Sequence, residues 1–213
     1  MLMRIKQAIM NGTLKSGEVL SENKLASEFI VSRTPVREAL RVLESEGFVT
    51  VLPGRKIIVS VPTQRDIDEI YEIRLLVESE ALRRITPRDH DLFDILDRCL
   101  TDSVVALRKD DFLELERINT VFHMALVSAL KNERLRSFVD SIHDTAVRLR
   151  RYSLAKKGWA GRFVQEHKQL VALLKKGQTE AAVKLLKKHI TTSVEIARSS
   201  VGPRTSTRSK SKG

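Results

Sequence analysis

The chain has 213 residues, of which 31% are charged and 42% hydrophobic, and its net charge is +11. This length is enough for one large or two small domains with hydrophobic cores. No apolar run approaches the roughly 18 residues needed to cross a bilayer, no signal peptide is recognisable, and a single cysteine, Cys99, excludes an intrachain disulfide. We therefore expect a soluble, cytoplasmic protein with no membrane partner.

The basic excess lies at the two ends of the chain. Residues 1–62 hold nine basic and six acidic residues, residues 63–197 hold 24 and 21, and residues 198–213 hold five and none. The balanced middle argues against a protein coated with nucleic acid along its whole length. The segment 201–213 is predicted to be a disordered basic tail, which is either a simple solvated end or a source of nonspecific, salt-sensitive DNA affinity.

Helical periodicity and capping residues predict three short helices in the first 47 residues. The first covers residues 4–11, the second follows Ser21 as its cap, and residues 14–20 between them are predicted to be a connector with a turn. Residues 48–52 and 57–61 are predicted to be strands joined by a turn. Three helices and a β-hairpin over residues 1–62 make a winged helix-turn-helix domain, in which the third helix enters the DNA major groove.

The third helix carries a basic face opposite an apolar one. Arg33, Arg37 and Arg41 follow each other at intervals of four, so their side chains share one side of the helix. Such a helix fits the major groove, where arginine bonds guanine bidentately; a solvated surface helix is the alternative. The residues predicted to contact DNA are Ser32, Arg33, Thr34, Arg37 and Arg41, together with Arg55 and Lys56 at the tip of the wing.

Three spaced motifs in this region resemble the N-terminal domain of GntR-type bacterial transcription regulators. They are Leu20-Ser21-Glu22-x-x-Leu25-Ala26, Val31-Ser32-Arg33-Thr34-Pro35-Val36-Arg37-Glu38-Ala39-Leu40, and Leu43-Glu44-x-Glu46-Gly47. The resemblance implies that the residues matching Arg33, Thr34 and Arg37 read DNA with help from the wing. The chain departs from the family at Lys56, where the wing usually has a second glycine, and at Asn23, where some members place a DNA-contacting arginine.

From residue 63 onward the pattern changes to long helices. They are predicted over residues 64–85, 92–109, 111–131, 135–154, 163–175 and 179–199, with no strand after residue 62. We therefore expect residues 63–200 to form an all-α antiparallel bundle that binds an effector and dimerises. This region resembles the FCD domain, which defines the FadR-like branch of the GntR regulators. The supporting motifs are Tyr71-Glu72-Ile73-Arg74 with Glu78, Asn119-x-x-Phe122-His123, Asn132-x-x-Leu135, Glu166-His167 and His189.

Three histidines and an asparagine form a predicted metal site. Asn119 and His123 are four residues apart and project from one helix face, while His167 and His189 lie at similar distances on either side of the turn at Gly177. Neutral imidazoles that converge in a bundle suit zinc, nickel or another divalent transition metal. Separate packed or exposed histidines are the alternative, and that is our interpretation of His90 and His143.

The resemblance implies the same metal site. FCD domains of the metal-binding kind carry an Asp or Asn, a histidine four residues later, and two histidines at positions that match His167 and His189. Here the first ligand is Asn119, whose neutral amide oxygen is a weaker ligand than a carboxylate. It leaves the ion more positive and favours an anionic effector bound directly to the metal.

Arg74 is the first candidate for effector binding. It lies on the apolar stripe of its helix, where an arginine needs a partner. That partner is either an acidic residue inside the bundle or the carboxylate of a ligand, which a guanidinium binds bidentately. Arg148, at the border of its helix's apolar face, is a weaker candidate. The resemblance implies small organic acids held by metal and arginine, which favours the effector role.

Together these features predict a ligand-responsive bacterial transcription regulator, most simply a repressor. One helix reads too few base pairs for genomic specificity, so we expect a homodimer on a palindromic operator. A metal-dependent enzyme is an alternative, since three histidines and an open coordination position can activate water. Against it, no carboxylate is predicted beside the site, because Glu166 points to a different helix face from His167. A pure metal sensor is the third possibility.

Overall fold

The computed structural model describes residues 1–154 and 158–200, without the side chains of residues 141, 143, 144, 148–154 and 200. The chain divides into two compact units, Met1–Pro62 and a second that begins at Thr63. Three of the sequence-based expectations concern positions outside this description. They are the effector role of the Arg148 side chain, the environment of His143, and the disordered tail over residues 201–213.

The first unit is a winged helix-turn-helix domain, which confirms the predicted fold. Its elements are α1 (Leu2–Met10), β1 (Val19–Leu20), α2 (Glu22–Phe29), α3 (Arg33–Ser45), β2 (Val49–Leu52) and β3 (Lys56–Val59). The antiparallel sheet has the order β1-β3-β2. The prediction of a plain connector over residues 14–20 was wrong at Val19 and Leu20, because a strand of two residues is too short to give an alternating pattern.

Helix α3 is fixed by its apolar side. Val36, Ala39, Leu40 and Leu43 are all buried in the small core of this unit, as the periodicity predicted. Ser21 caps α2 by accepting a hydrogen bond from the backbone N–H of Lys24 at 3.4 Å. The tight link from α3 to β2 uses Gly47 at φ +75°, a left-handed conformation that glycine adopts without steric cost.

The turn between α2 and α3 contains a strained residue. Ile30 ends α2 in the left-handed conformation, with φ +56° and ψ +53°. A β-branched side chain is a genuine outlier there, because its Cβ substituents crowd the backbone. The Ile30 side chain is 91% exposed, so no burial offsets this strain.

Replacing Ile30 with glycine should therefore stabilise the protein. We expect a gain of about 1 kcal/mol in the free energy of unfolding, since relief of the left-handed strain exceeds the entropy that glycine adds to the unfolded chain. Ile30→Ala keeps a Cβ and should recover less than half of that gain. Urea denaturation followed by circular dichroism measures both, and a destabilised Ile30→Gly variant would contradict the strain argument.

The second unit is an all-α bundle, as predicted. Its helices are α4 (Gln64–Arg84), α5 (His90–Arg108), α6 (Phe112–Ser128), α7 (Glu133–Leu154), α8 (Trp159–Lys175) and α9 (Thr179–Ser200). Thr63 and Asp66 form a reciprocal capping box at the start of α4. Helix α8 begins four residues before its predicted start. Within residues 1–154 and 158–200, no helix is long and apolar enough to span a bilayer.

The bundle places four helices around one polar centre. Helix α9 packs against α4, α7 and α8, and α6 packs against α4, α5 and α7. The core between them is formed largely by leucine, isoleucine and phenylalanine side chains, among them Leu115, Phe122 and Phe163. A group of buried polar side chains from α4, α6, α8 and α9 interrupts this apolar core. Buried polar side chains require partners, so this cluster is a candidate functional site.

Candidate metal centre and nucleic-acid interface

Three buried histidines converge inside the bundle. His123 comes from α6, His167 from α8 and His189 from α9, and each offers a ring nitrogen within 4.8 Å of the others. The ring centroids of His167 and His189 are 4.9 Å apart, as expected if their hairpin places them at the same depth. The structure therefore brings together side chains separated by up to 66 positions in the sequence.

Two carboxylates orient two of these rings. Nδ1 of His123 donates to Oε2 of Glu78 at 2.7 Å, and Nδ1 of His189 donates to Oε2 of Glu166 at 2.8 Å. A carboxylate can only accept, so each ring carries its proton on Nδ1. Nε2 is then the nitrogen with a lone pair for a metal. Carboxylate–histidine pairs of this kind fix the tautomer and raise the basicity of the ligand in metal sites.

Each carboxylate is in turn held by an arginine one helical turn away. Nε of Arg74 donates to Oε1 of Glu78, and Nε of Arg162 donates to Oε1 of Glu166, both at 2.9 Å. Burial raises the pKa of Glu166, but the hydrogen bonds from His189 and Arg162 outweigh it, so this pKa lies below its ordinary value. Glu166 is thus an ionised partner of the centre.

These contacts correct one prediction and add a feature that sequence reasoning missed. Glu166 does point away from His167 along α8, but it meets His189 of the neighbouring helix, so a carboxylate does lie beside the centre. The signal was present in the i, i+4 pairs Arg74–Glu78 and Arg162–Glu166. Such pairs are common on helix surfaces, and only the fold reveals that these two face histidines.

An apolar shell surrounds the histidines. The Phe122 ring stacks on His167 with centroids 4.0 Å apart, and Phe163 meets His167 edge-on at 5.1 Å. Trp159 lies 6.1 Å from His189. A shell of this kind excludes water and lowers the local dielectric, which strengthens electrostatic interactions in the centre.

Asn119 supplies a further polar atom on the same side of α6. It is buried, lies one helical turn before His123, and its Oδ1 accepts no hydrogen bond from the residues that the structure describes. A buried acceptor of this kind is costly unless something binds it. Three imidazoles and one amide oxygen are a donor set suited to a divalent transition metal, with zinc–nitrogen bonds of about 2.0–2.1 Å. The residues present fit such an ion.

Arg74 has one internal partner and a second buried donor group. Its salt bridge to Glu78 is the internal pair that was one predicted alternative. Its Nη2, however, is buried and makes no hydrogen bond with the described residues. Arg74 also lines a cavity of about 20 Å³ between α4, α6 and α7, together with Glu78 and His123. That volume has room for about one water molecule.

The first unit presents the predicted arginines on one face. Arg33, Arg37 and Arg41 are exposed on α3. Arg37 pairs with Glu22 of α2 at 2.8 Å, and Arg41 pairs with Glu38 at 3.0 Å. The pKa of Glu22 lies below its ordinary value, mainly because Arg37 donates a hydrogen bond to its carboxylate. The positive charges of Arg33 and Arg41 lower this pKa further. Glu22 is thus an ionised partner of the basic face, held directly by Arg37.

The other predicted DNA contacts are at the start of α3 and at the wing tip. Ser32 and Thr34 are exposed at the N-terminus of α3. Gly54 and Arg55 form the turn of the wing with φ +79° and +60°, and Lys56 is the first residue of β3, paired with Leu52. The predicted turn therefore ends one residue earlier than expected. The two left-handed residues of the turn are Gly54 and Arg55, and not the Lys56 that replaces a usual glycine.

Two family models match the chain. Residues 2–59 match the model described as bacterial regulatory proteins, gntR family, and residues 69–192 match the model of the FCD domain. The first match covers nearly all of the winged unit, and the second covers most of the bundle, including the three histidines. The two domains that the sequence motifs resemble are thus matched in the expected order.

Individual proteins that are similar to this chain are also transcriptional regulators. The chain is 32% identical to the uncharacterized HTH-type transcriptional regulator YdhC of Bacillus subtilis (strain 168), over 84% of this chain and 81% of that protein. It is 33% identical to the gluconate operon transcriptional repressor of Bacillus licheniformis, over 60% of this chain and 53% of the repressor. A solved GntR transcriptional regulator from Rhodococcus sp. RHA1 superposes with a TM-score of 0.80 at 27% identity, over 92% and 94% of the two chains.

Proposed function

We propose a specific role for this chain on the premise that it belongs to the GntR family of bacterial regulatory proteins and carries an FCD domain. Like these relatives, it is a transcriptional regulator and not an enzyme. Our proposal is that it acts as a homodimeric repressor whose operator affinity changes when a small carboxylate binds beside a metal ion in the bundle. The observation that carries it is the buried trio His123, His167 and His189 with its two orienting carboxylates.

The DNA-binding role is assigned to α3 and the wing. Arg33, Thr34 and Arg37 match the positions that read DNA in the family, and all three are exposed. Arg55 and Lys56 at the wing tip would contact phosphates or the minor groove. A relative named as a gluconate operon transcriptional repressor supports repression as the sign of regulation.

The metal ion would be held by four side chains. The proposed ligands are His123, His167, His189 and Asn119, with Glu78 and Glu166 orienting two of the rings. Zinc and nickel both suit imidazole nitrogen. A bound ion would offer its open coordination position to a carboxylate oxygen.

The charges around the centre favour an anionic effector. Glu78 is neutralised by Arg74, and Glu166 is neutralised by Arg162. Asn119 adds no charge where an aspartate would add one. A divalent ion would therefore keep a positive charge that the described groups do not balance, and a carboxylate supplies the missing negative charge. Nη2 of Arg74 is a donor for its second oxygen.

Effector binding would require a conformational change. The cavity beside Arg74 and His123 has room for about one water molecule, so an acid of several atoms must displace part of its wall. Val139, Ile142 and Ala146 of α7 form one side of that wall. An effector alters operator affinity only if it binds one arrangement of the winged domains better than another, and displacement of α7 is the step we propose to link the two.

The same small cavity favours a second candidate, a sensor of the metal ion alone. The two candidates differ in what changes operator binding. An operator selected from random duplexes would be titrated with the metal-loaded protein, with and without a panel of small carboxylic acids, and with uncharged polyols of similar size as controls. Acid-dependent release supports the proposed effector, and a response to metal alone supports the sensor.

Asn119→Asp provides a sharper test of the charge argument. Adding one negative charge to the ligand set should tighten metal binding about tenfold through Coulomb attraction to the ion, and should weaken binding of the carboxylate by a similar factor through repulsion. Calorimetric titration with zinc, and then with the acid that releases the operator, measures both changes. Asn119→Ser, which is also neutral, is the control. If the aspartate variant strengthened both interactions, the effector would not be responding to the charge on the ion.

A further inference from the structure

The pair formed by Glu22 and Arg37 has a specific geometry. Nε of Arg37 lies 3.1 and 3.2 Å from the two carboxylate oxygens of Glu22, and Nη2 lies 2.8 Å from Oε2. The carboxylate therefore occupies the guanidinium edge formed by Nε and Nη2. The other hydrogen-bonding edge, formed by Nη1 and Nη2, points away from Glu22.

We propose that Glu22 is a positioning residue that holds Arg37 so that its Nη1–Nη2 edge bonds one guanine in each operator half-site. This inference rests on the proposed DNA-binding role of α3 and assigns the source of its base specificity. Guanine presents two acceptors, O6 and N7, in the major groove, and the paired donors of one guanidinium edge match them. With its other edge filled, Arg37 keeps one such edge for DNA.

Glu22 is well placed to act as a fixed support. It lies in the first turn of α2, directly after the capping residue Ser21, where the helix dipole stabilises a negative charge. Leu25 and Ala26 of α2 and Val36 of α3 are buried in the same core, so the two helices are held together. The Glu22 side chain is 27% exposed and that of Arg37 54%, which leaves the arginine accessible on the side opposite its partner.

The contact between Glu22 and Arg37 lowers affinity for DNA in general and raises discrimination between sequences. A free arginine side chain samples many rotamers and can bond any phosphate within reach. Holding it in place before DNA arrives lowers the ordering cost at the correct base. The Glu22 charge also repels phosphates whatever the sequence, so it weakens binding to every duplex. Discrimination between sequences benefits from both effects.

The competing interpretation is an ordinary surface ion pair. Exposed pairs contribute little to stability, and this one would then affect DNA only through its net charge. Glu38 is a matched control, because it is also exposed and pairs with another arginine of α3, Arg41, at 3.0 Å; the structure gives no hydrogen bond between the described side chains of Glu38 and Arg37. Glu38→Gln removes the same charge from the partner of a neighbouring arginine on α3. The two interpretations therefore differ in whether Glu22 and Glu38 variants behave alike.

The test compares Glu22→Gln, Glu22→Ala and Glu38→Gln in the full-length protein. Affinity is measured for an operator selected by the wild type, for variants of it with each base pair changed, and for random duplex. We expect all three substitutions to strengthen binding to random duplex several-fold. Only the Glu22 variants should lose about tenfold in discrimination at one guanine per half-site. In an Arg37→Ala background, Glu22→Gln should behave like Glu38→Gln.

The possible outcomes separate this inference from the proposed function. If both Glu22 variants keep the full preference of the wild type for that guanine, the positioning role is overturned while the DNA-binding role stands. If Glu38→Gln loses the same preference, charge alone explains the effect and the inference is also overturned. A wild type that selects no duplex sequence would overturn the proposed function, and this inference with it.

Discussion

Replacing Arg37 with alanine is expected to lower operator affinity by a factor on the order of a thousand. A bidentate arginine–guanine contact contributes about 1–3 kcal/mol of discrimination, and a homodimer on a palindromic site loses two such contacts. The substitution also leaves the Glu22 carboxylate without its partner, which adds repulsion from the DNA. Fluorescence anisotropy at fixed salt measures the change, since affinity for DNA depends steeply on salt concentration.

Two further variants separate base recognition from charge. Arg37→Lys keeps the positive charge but lacks the planar fork, so it should retain affinity for random duplex and lose preference for the operator. Lys15→Ala removes an exposed charge from the loop before β1 and should change operator affinity less than about threefold. If an Arg37→Ala variant bound its operator nearly as well as the wild type, the assignment of α3 to the major groove would be wrong.

The winged fold could be predicted because its signals are local. The cap at Ser21, the apolar stripe of α3 and the glycine at position 47 each depend on residues within one or two helical turns. The features of this unit that the sequence did not predict depend on long-range pairing or on a backbone angle. Strand β1 exists only because Val19 pairs with Ile58, and the strain at Ile30 is visible only as a backbone angle.

In the metal centre, too, the features set by local spacing were predicted and the contacts between distant residues were not. Helical spacing predicted that His167 and His189 would meet, since both belong to one hairpin. It could not predict which side chains face the histidines from other helices, and so the contact of Glu78 with His123 and that of Glu166 with His189 were missed. For Arg74 the pattern gave burial but could not decide between an internal partner and a ligand, because the side chain has donors for both.

The second large effect concerns the metal ligands. His189→Ala is expected to abolish stoichiometric binding of zinc or nickel and, with it, the metal-dependent part of the stability. An ion that binds only the native state adds about 4 kcal/mol when its concentration is a thousand times its dissociation constant. Metal content after dialysis and thermal unfolding with and without added zinc measure the two effects.

The thermal comparison must be made within each variant, because removing any buried side chain destabilises a core. We expect zinc to raise the melting temperature of the wild type and to leave that of His189→Ala unchanged. His90→Ala, which replaces an exposed histidine at the start of α5, should keep the full zinc effect. Glu78→Gln should fall between them, since loss of an orienting carboxylate typically weakens metal affinity 10–100-fold. If His189→Ala retained one tightly bound ion per chain, the centre would have to lie elsewhere, and the charge argument for an anionic effector would lose its basis.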